Sequence, residues 1–139
     1  KGEGPFPMVM MVHGNHSMLD YSDGGYAYLG ELLASRGIIG VSVDENFING
    51  HWSGDFMGKE MPTRAWLLLK HLEQWKKWND GTDTDIEGKV DMDNIVLVGH
   101  SRGGEAVSIA AAFNKLDRFP DNGYEKFNFN FGIQQSSSS

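Results

Sequence analysis

The chain alternates short apolar runs, which predict buried strands, with longer stretches whose apolar residues recur at helical spacing. Strands are predicted over residues 7–12, 38–45, 94–99 and 127–134, and helices over residues 26–37, 61–79 and 103–116. Strands that are apolar throughout are covered on both faces, as in parallel sheets. The pattern therefore predicts an α/β fold with a mostly parallel sheet and helices on both faces.

Two details of the pattern locate the ends and faces of the helices. Gly37 follows the first helix at a position typical of a C-terminal cap. The second helix has a proline in its first turn, and one face carries Trp66, Leu69, Leu72 and Trp75. The chemistry of such a sheet is expected at the carboxyl ends of its strands, and the irregular segment 45–60 follows one of those ends.

Composition and charge exclude several classes of function. The net charge is −7 and the sequence contains no basic cluster that could neutralise phosphates, which argues against binding to nucleic acid or to an anionic membrane surface. No apolar run approaches the roughly 20 residues of a membrane-spanning helix. There is no cysteine, which is compatible with any compartment and slightly favours a secreted or periplasmic protein over a cytoplasmic one. We expect one domain over 1–135 and a flexible tail or interrupted loop over 136–139, and the sequence leaves the oligomeric state open.

The third strand ends in the segment GHSRGG, which matches the pattern G-x-S-x-G at the junction between a strand and a helix. A turn this tight strains the serine backbone and needs the small residues Gly99, Gly103 and Gly104 where strand and helix approach. It lifts the hydroxyl of Ser101 clear of the sheet, at a helix N-terminus that favours developing negative charge. Ser101 is therefore the candidate nucleophile, and the amide of Arg102 is a candidate oxyanion donor.

A second motif, VHGNH, closes the first strand. A loop at this place can aim a backbone N–H at the same oxyanion, and Asn15 is the residue that we expect to supply it. His13 lies directly after the apolar run, and we expect it to have a structural role.

These segments resemble the α/β-hydrolase superfamily. PFPMVMMVHGNH, LASRGIIGVSVDEN and NIVLVGHSRGGEAV follow its order of oxyanion strand, crossover strand and nucleophile elbow, and GHSRGG is similar to the elbow of chlorophyllase-like, polyester-hydrolase-like and platelet-activating-factor-acetylhydrolase-like esterases. The resemblance implies a serine hydrolase with Ser101 as nucleophile and the amides of Asn15 and Arg102 as oxyanion donors. It implies no cofactor and no metal. The expected substrate is a carboxylic ester of a small molecule, lipid or polymer, with amide, thioester and lactone substrates left open.

The histidine of the triad is missing from its expected place, because the superfamily order is serine, acid, histidine. All five histidines of the chain, His13, His16, His51, His71 and His100, precede Ser101. We expect the chain to be the N-terminal part of a longer hydrolase whose acid and histidine lie outside it. Alternatively, His16 or His51 supplies the base in a complete protein, or the chain is a non-catalytic hydrolase-like domain that binds or interacts. The side chain of His100 is expected to point into the fold.

Two further features have both a functional and a purely structural interpretation. His16, His51 and Trp52 are candidates to line a substrate pocket, although a long loop also packs aromatic residues onto its own core. The segment from Asp83 to Asn94 partly matches a calcium loop, but its twelfth position is Asn94 where a bidentate Glu is required. A solvated loop is the favoured interpretation of that segment.

Overall fold

The computed structural model of the chain describes residues 2–16, 19, 22–49, 60–82 and 84–136. Within these ranges, strands and α-helices alternate. They are β1 (Phe6–Val12), α1 (Ala27–Ser35), β2 (Ile39–Val43), α2 (Met61–Asp80), β3 (Val90–His100), α3 (Arg102–Phe113) and β4 (Phe131–Ser136). Short 3-10 turns at Asp23–Tyr26 and Asn46–Ile48 precede α1 and follow β2.

The strands form one sheet in the order β2-β1-β3-β4, and all of them pair in parallel. The crossover through α1 runs in one direction across the sheet, and those through α2 and α3 run in the other. Because such crossovers are right-handed, α1 lies on one face, whereas α2 and α3 pack against each other on the opposite face. The predicted fold class is confirmed. The direction reverses between β1 and β3, and the crevice at their carboxyl ends is where sheets of this kind bind ligands.

The core lies between the sheet and the α2–α3 layer. Met8 and Met10 of β1 and Leu97 of β3 are fully buried there. The two helices contribute the buried residues Leu68, Leu69, Leu72, Ala106, Val107 and Ala110. On the opposite face of β3 the cover is thinner, since Val96 remains 38% exposed.

The end of α1 confirms the predicted glycine cap. Gly37 has a φ of +74°, which glycine adopts without the strain of a Cβ atom. The amide of Gly37 donates to the carbonyl of Ala34 at 3.1 Å, and the amide of Ile38 donates to that of Leu33 at 3.0 Å. This pair of bonds is a Schellman motif, and it turns the chain directly into β2.

The buried stripe of α2 differs in part from the predicted one. Leu69 and Leu72 are fully buried, but Trp66 and Trp75 are only half-buried at the edge of the stripe. The fully buried positions also include Arg64, which the hydrophobic pattern did not single out. The helix therefore presents a charged group to the interior within its first turn.

The predicted bounds of β3 and β4 were wrong at their starts. β3 begins at Val90, where the side chain of Asn79 both accepts from the Val90 amide (2.8 Å) and donates to its carbonyl (3.0 Å). β4 begins only at Phe131, because the side chain of Asn114 holds the backbone of Phe129 in the same way, at 2.9 and 2.8 Å.

The aromatic residues before β4 pack on the end of α3 instead of joining the sheet. Phe127 is 4% exposed, and its ring centroid lies 6.3 Å from that of Phe119. β4 continues through Ser136, one residue beyond the predicted end of the core, and the rest of the predicted tail, 137–139, lies outside the described residues. Of the helices in the described ranges, none has the combined length and apolar character that crossing a bilayer requires.

Candidate active site

Ser101 occupies the turn between β3 and α3 in a strained backbone conformation. Its φ is +55° and its ψ is −122°, and no other non-glycine residue in the described part of the chain has a positive φ. Such a conformation costs on the order of 1–3 kcal/mol and persists only where the surroundings enforce it. Here the Ser101 amide donates to the carbonyl of Ser136 at 3.0 Å, and its carbonyl accepts from the amide of Gly104 at 2.9 Å. The residue is exposed.

Two of the three glycines around Ser101 are required because their Cα atoms lie directly against backbone atoms of another segment. A Cβ atom on Gly99 would lie 2.5 Å from the amide nitrogen of Gly104, and closer still to the carbonyl of Gly103. A Cβ on Gly103 would lie 2.7 Å from the carbonyl oxygen of His13. At Gly104 the nearest atom would be 3.3 Å away, so this position is less restricted. Strand, turn and helix are thus packed too closely for any side chain at the first two positions.

The end of β1 lies against Ser101. A Cβ on Gly14 would be 3.0 Å from the Cβ of Ser101 and 3.5 Å from its Oγ. Asn15 follows directly, which brings the predicted oxyanion loop beside the serine. The first bonds of α3 run from the amides of Gly104 and Glu105 to the Ser101 carbonyl, and neither uses the amide of Arg102. The donor roles of Asn15 and Arg102 stay predictions that this arrangement allows.

His13 has the structural role that the sequence suggested. It is 2% exposed, and both ring nitrogens are engaged. Nδ1 lies 2.7 Å from the carbonyl oxygen of Gly14, and Nε2 accepts from the amide of Glu45 at 3.0 Å. Because Nε2 accepts, Nδ1 carries the proton. Burial lowers the pKa of His13 below its usual 6.5, in keeping with a neutral ring.

The positions of the remaining described histidines do not assign any of them as the base for Ser101. The ring of His16 lies 5.6 Å from that of His13, centroid to centroid. His71 is half-buried on α2, where burial lowers its pKa. Among the residues that the structure describes, no histidine hydrogen-bonds the hydroxyl of Ser101. The candidate pocket residues His51 and Trp52 lie outside the described residues.

The predicted orientation of His100 was wrong. The side chain is exposed and does not point into the fold. Along β3, the buried positions Ile95, Leu97 and Gly99 face the α2–α3 layer. His100 is on the alternate face together with Val96, where α1 lies over β2 and leaves the neighbouring part of β3 open.

A buried ion pair lies beneath the same edge of the sheet. Arg64 Nη1 donates to Glu45 Oε2 at 2.9 Å, and both side chains are 0% exposed. Arg64 Nη2 also donates to the side-chain oxygen of Asn49. Arg64 was not among the residues that the sequence analysis singled out. A signal was present, because Arg64 lies four and eight residues before Leu68 and Leu72, on the apolar stripe of α2.

The residue after the nucleophile also has a charged partner. Arg102 Nη1 contacts Glu60 Oε1 immediately before α2, with side chains 20% and 5% exposed. Glu60 belongs to the irregular segment that sequence analysis placed over the active edge, but no sequence signal paired it with Arg102. Several buried polar atoms nearby, among them Oε1 of Glu45, Oε2 of Glu60 and both amide atoms of Asn15, have no hydrogen-bond partner among the described residues.

The burial of Glu45 predicts a pH dependence of stability. Desolvation raises the pKa of its carboxyl from 4.5 to about 7, against the attraction of Arg64 and with a small contribution from Asp44. The folded state therefore binds the proton more tightly than the unfolded chain, and raising the pH from 5 to 8 weakens folding through this group by roughly 2–3 kcal/mol. In urea titrations, the free energy of unfolding of the wild type minus that of Glu45→Gln should fall by this amount. A difference that stays constant with pH would contradict the assignment.

The segment that partly matches a calcium loop makes local hydrogen bonds where it is described. Asp91 Oδ1 accepts from the amide of Asp93 at 3.1 Å, and Asp91 Oδ2 accepts from the side chain of Asn94 at 2.7 Å. Asp83 lies outside the described residues. The described residues contain no group of three or more histidine or acidic side chains that could hold a metal ion.

Comparison with solved structures assigns the fold. The inhibited esterase B from Lactobacillus rhamnosis matches with a TM-score of 0.61 and 19% identity, over 97% of this chain and 40% of its own. The ferulic acid esterase from Streptomyces cinnamoneus matches with a TM-score of 0.50 and 22% identity, over 95% of this chain and 43% of its own. The chain therefore has an α/β-hydrolase-like fold and spans about two fifths of the length of these esterases. No protein-family model and no curated protein matches it.

Proposed function

We propose that the chain belongs to a serine hydrolase that cleaves a carboxylic ester through an acyl-enzyme, with Ser101 as the nucleophile. The observation that carries the proposal is the backbone of Ser101, held at a φ of +55° while the residue stays exposed. A strained, outward-facing serine between a buried strand and a helix is the arrangement of a nucleophile elbow. The esterase names of both solved neighbours support an ester as the substrate.

The proposed reaction has two halves. The Oγ of Ser101 attacks the ester carbonyl carbon, its proton passes to a base, and the carbonyl oxygen becomes an anion held by the amides of Asn15 and Arg102. Each such donor typically contributes about 3 kcal/mol to the transition state. Collapse of the intermediate breaks the bond to the alcohol oxygen, which takes the proton back from the base and leaves as the neutral alcohol. Water then hydrolyses the acyl-enzyme by the same steps to release the acid and restore Ser101.

We place the triad acid and histidine outside these 139 residues. Three observations support this part of the proposal. No histidine follows Ser101 in the sequence, His13 has both nitrogens engaged, and His100 lies on the exposed face of β3. The incomplete coverage of the solved esterases agrees with it.

Turnover of p-nitrophenyl acetate and butyrate by two proteins tests the proposal. We expect the chain expressed from its whole reading frame to hydrolyse them, and residues 1–139 alone to be slower by on the order of 10⁶, because a serine without its histidine loses about that factor. Circular dichroism of both proteins controls for folding. Equal, serine-dependent turnover by residues 1–139 would place the base within them. Absence of turnover in the longer chain would favour a hydrolase-like binding domain.

A further inference from the structure

A series of polar contacts connects the turn that contains Ser101 with the buried residue Arg64 in the first turn of α2. Arg102, directly after Ser101, is paired with Glu60. The backbone carbonyl of Glu60 accepts from the amide of Arg64 at 3.0 Å, so the two residues share one helical turn. Arg64 in turn directs its guanidinium to Glu45, at the carboxyl end of β2. The elbow, α2 and the end of β2 are thereby connected through charged groups of which only Arg102 is more than 7% exposed.

A second set of contacts leads from Glu45 to Ser101 through the two residues that follow β1. The amide of Glu45 donates to His13, and the protonated nitrogen of His13 lies at hydrogen-bond distance from the carbonyl of Gly14. Gly14 lies beside Ser101, since a Cβ on Gly14 would be 3.0 Å from the Cβ of Ser101. Arg102, Glu60, Arg64, Glu45, His13 and Gly14 are thus connected in this order. The circuit closes at Ser101, which lies beside Gly14 and is bonded to Arg102, and we call these six residues the polar ring.

The polar ring joins four segments that are distant in sequence: the ends of β1 and β2 and the first turns of α2 and α3. Two of these segments contain the candidate oxyanion donors, Asn15 beside Gly14 and Arg102 itself. We infer that the polar ring fixes these two amides relative to Ser101, and that Glu45 and Arg64 are positioning residues for the reaction. The inference rests on the proposed function, since the placement of the amides affects a rate only if Ser101 is acylated.

Fold stability alone is a poor explanation of the pair. A buried ion pair is weak evidence for stability, because desolvation of both charges offsets most of their attraction. Apolar residues of similar volume stabilise such sites equally well or better. Oxyanion donors, in contrast, must be held in place before the reaction to stabilise the transition state, and donors displaced by a fraction of an ångström lose much of their effect. The pair meets that requirement because it is connected through Glu60 to Arg102 and through His13 to Gly14, which precedes Asn15.

Glu45→Gln is the most direct test, because it removes the charge and keeps the shape of the side chain. In the chain expressed from its whole reading frame, at pH 8 and at a temperature where it is folded, we expect kcat for p-nitrophenyl butyrate to fall about tenfold. Loss of a whole oxyanion donor costs 100-fold or more, and a displaced donor should cost a part of this. KM should change less than twofold, because the amides act on the transition state.

The matched control is Leu72→Ala. Leu72 is on the same helix, is fully buried like Arg64, and lies two turns from the polar ring. Its loss should lower the melting temperature at least as much as Glu45→Gln and leave kcat within twofold of the wild type. A kcat that follows the melting temperature in both variants would show that Glu45 acts only through stability and would overturn the inference.

Glu60→Gln provides a second variant in case Glu45→Gln does not fold. This substitution weakens the contact of residue 60 with Arg102, which is the most exposed contact of the polar ring. The same fall in kcat at constant KM is expected, and an unchanged kcat in Glu60→Gln or in folded Glu45→Gln overturns the inference while the proposed function stands. A wild type without esterase turnover and without a labelled Ser101 removes the proposed function, and the inference with it.

Discussion

Ester turnover by the chain from its whole reading frame should fall by on the order of 10⁶ when Ser101 is replaced with alanine. The methyl group of alanine keeps the Cβ that lies beside Gly14 and removes only the attacking oxygen. Oxyanion donors and binding alone retain a small residual rate over the uncatalysed reaction. Initial rates with p-nitrophenyl butyrate, measured at equal folded concentrations, check the prediction.

Ser35→Ala is the matched control for this substitution. Ser35 is an exposed serine at the end of α1, and its hydroxyl donates to the carbonyl of Leu32 at 2.7 Å. It should retain full turnover. If Ser101→Ala remained within tenfold of the wild type, the nucleophile would have to be another residue.

Gly99→Ala is expected to abolish the native elbow. Its Cβ would be forced against the backbone of Gly103 and Gly104, and backbone on both sides leaves no flexible side chain that could move away. Overpacking of this kind costs several kcal/mol, on the order of 3 or more, a large part of the total stability of a domain of this size. We expect loss of the cooperative thermal transition, or a midpoint lower by at least about 10 °C, together with loss of turnover.

Gly132→Ala in β4 provides the comparison. The change is the same and lies in the same sheet, but a Cβ at Gly132 would have no atom within 4 Å. Its melting temperature should stay close to that of the wild type. Equal melting temperatures for the two variants would contradict the close approach of strand and helix on which the elbow depends.

Most elements of the fold could be predicted because their signals are local. The apolar run over residues 7–12 predicts β1, and the apolar stripe over residues 61–79 predicts α2, because each pattern reflects burial of that segment alone. Gly37 predicts the end of α1 because glycine adopts the positive φ of a helix cap. The start of β4 could not be predicted from the alternating aromatic residues. Phe127 satisfies that pattern equally well by packing on Phe119, and only the contact of Asn114 with Phe129 decides where pairing begins.

The candidate site also contains features with a local sequence signal and features that depend on contacts between distant elements. Ser101 and its glycines are detectable because one turn contains the serine and the glycines that the close packing requires. The contact of Glu45 with Arg64 joins residues 19 apart on different elements, and a buried charge is recognisable only once its partner is known. The prediction that His100 points into the fold was wrong for a related reason. Which side chains of β3 are buried depends on which face of the sheet each helix occupies, and no local pattern gives that.

The chemical reactivity of Ser101 is the most direct test of its assignment as the nucleophile. The chain from its whole reading frame should be incubated with a fluorophosphonate, digested and mapped by mass spectrometry, with Ser101→Ala in parallel. The expected result is one adduct per molecule, on Ser101, with none in the variant, because only a hydroxyl with an activating base and oxyanion donors attacks phosphorus at a useful rate. A folded protein in which Ser101 stays unmodified, or in which the adduct forms equally in Ser101→Ala, would contradict the assignment of this residue as a nucleophile.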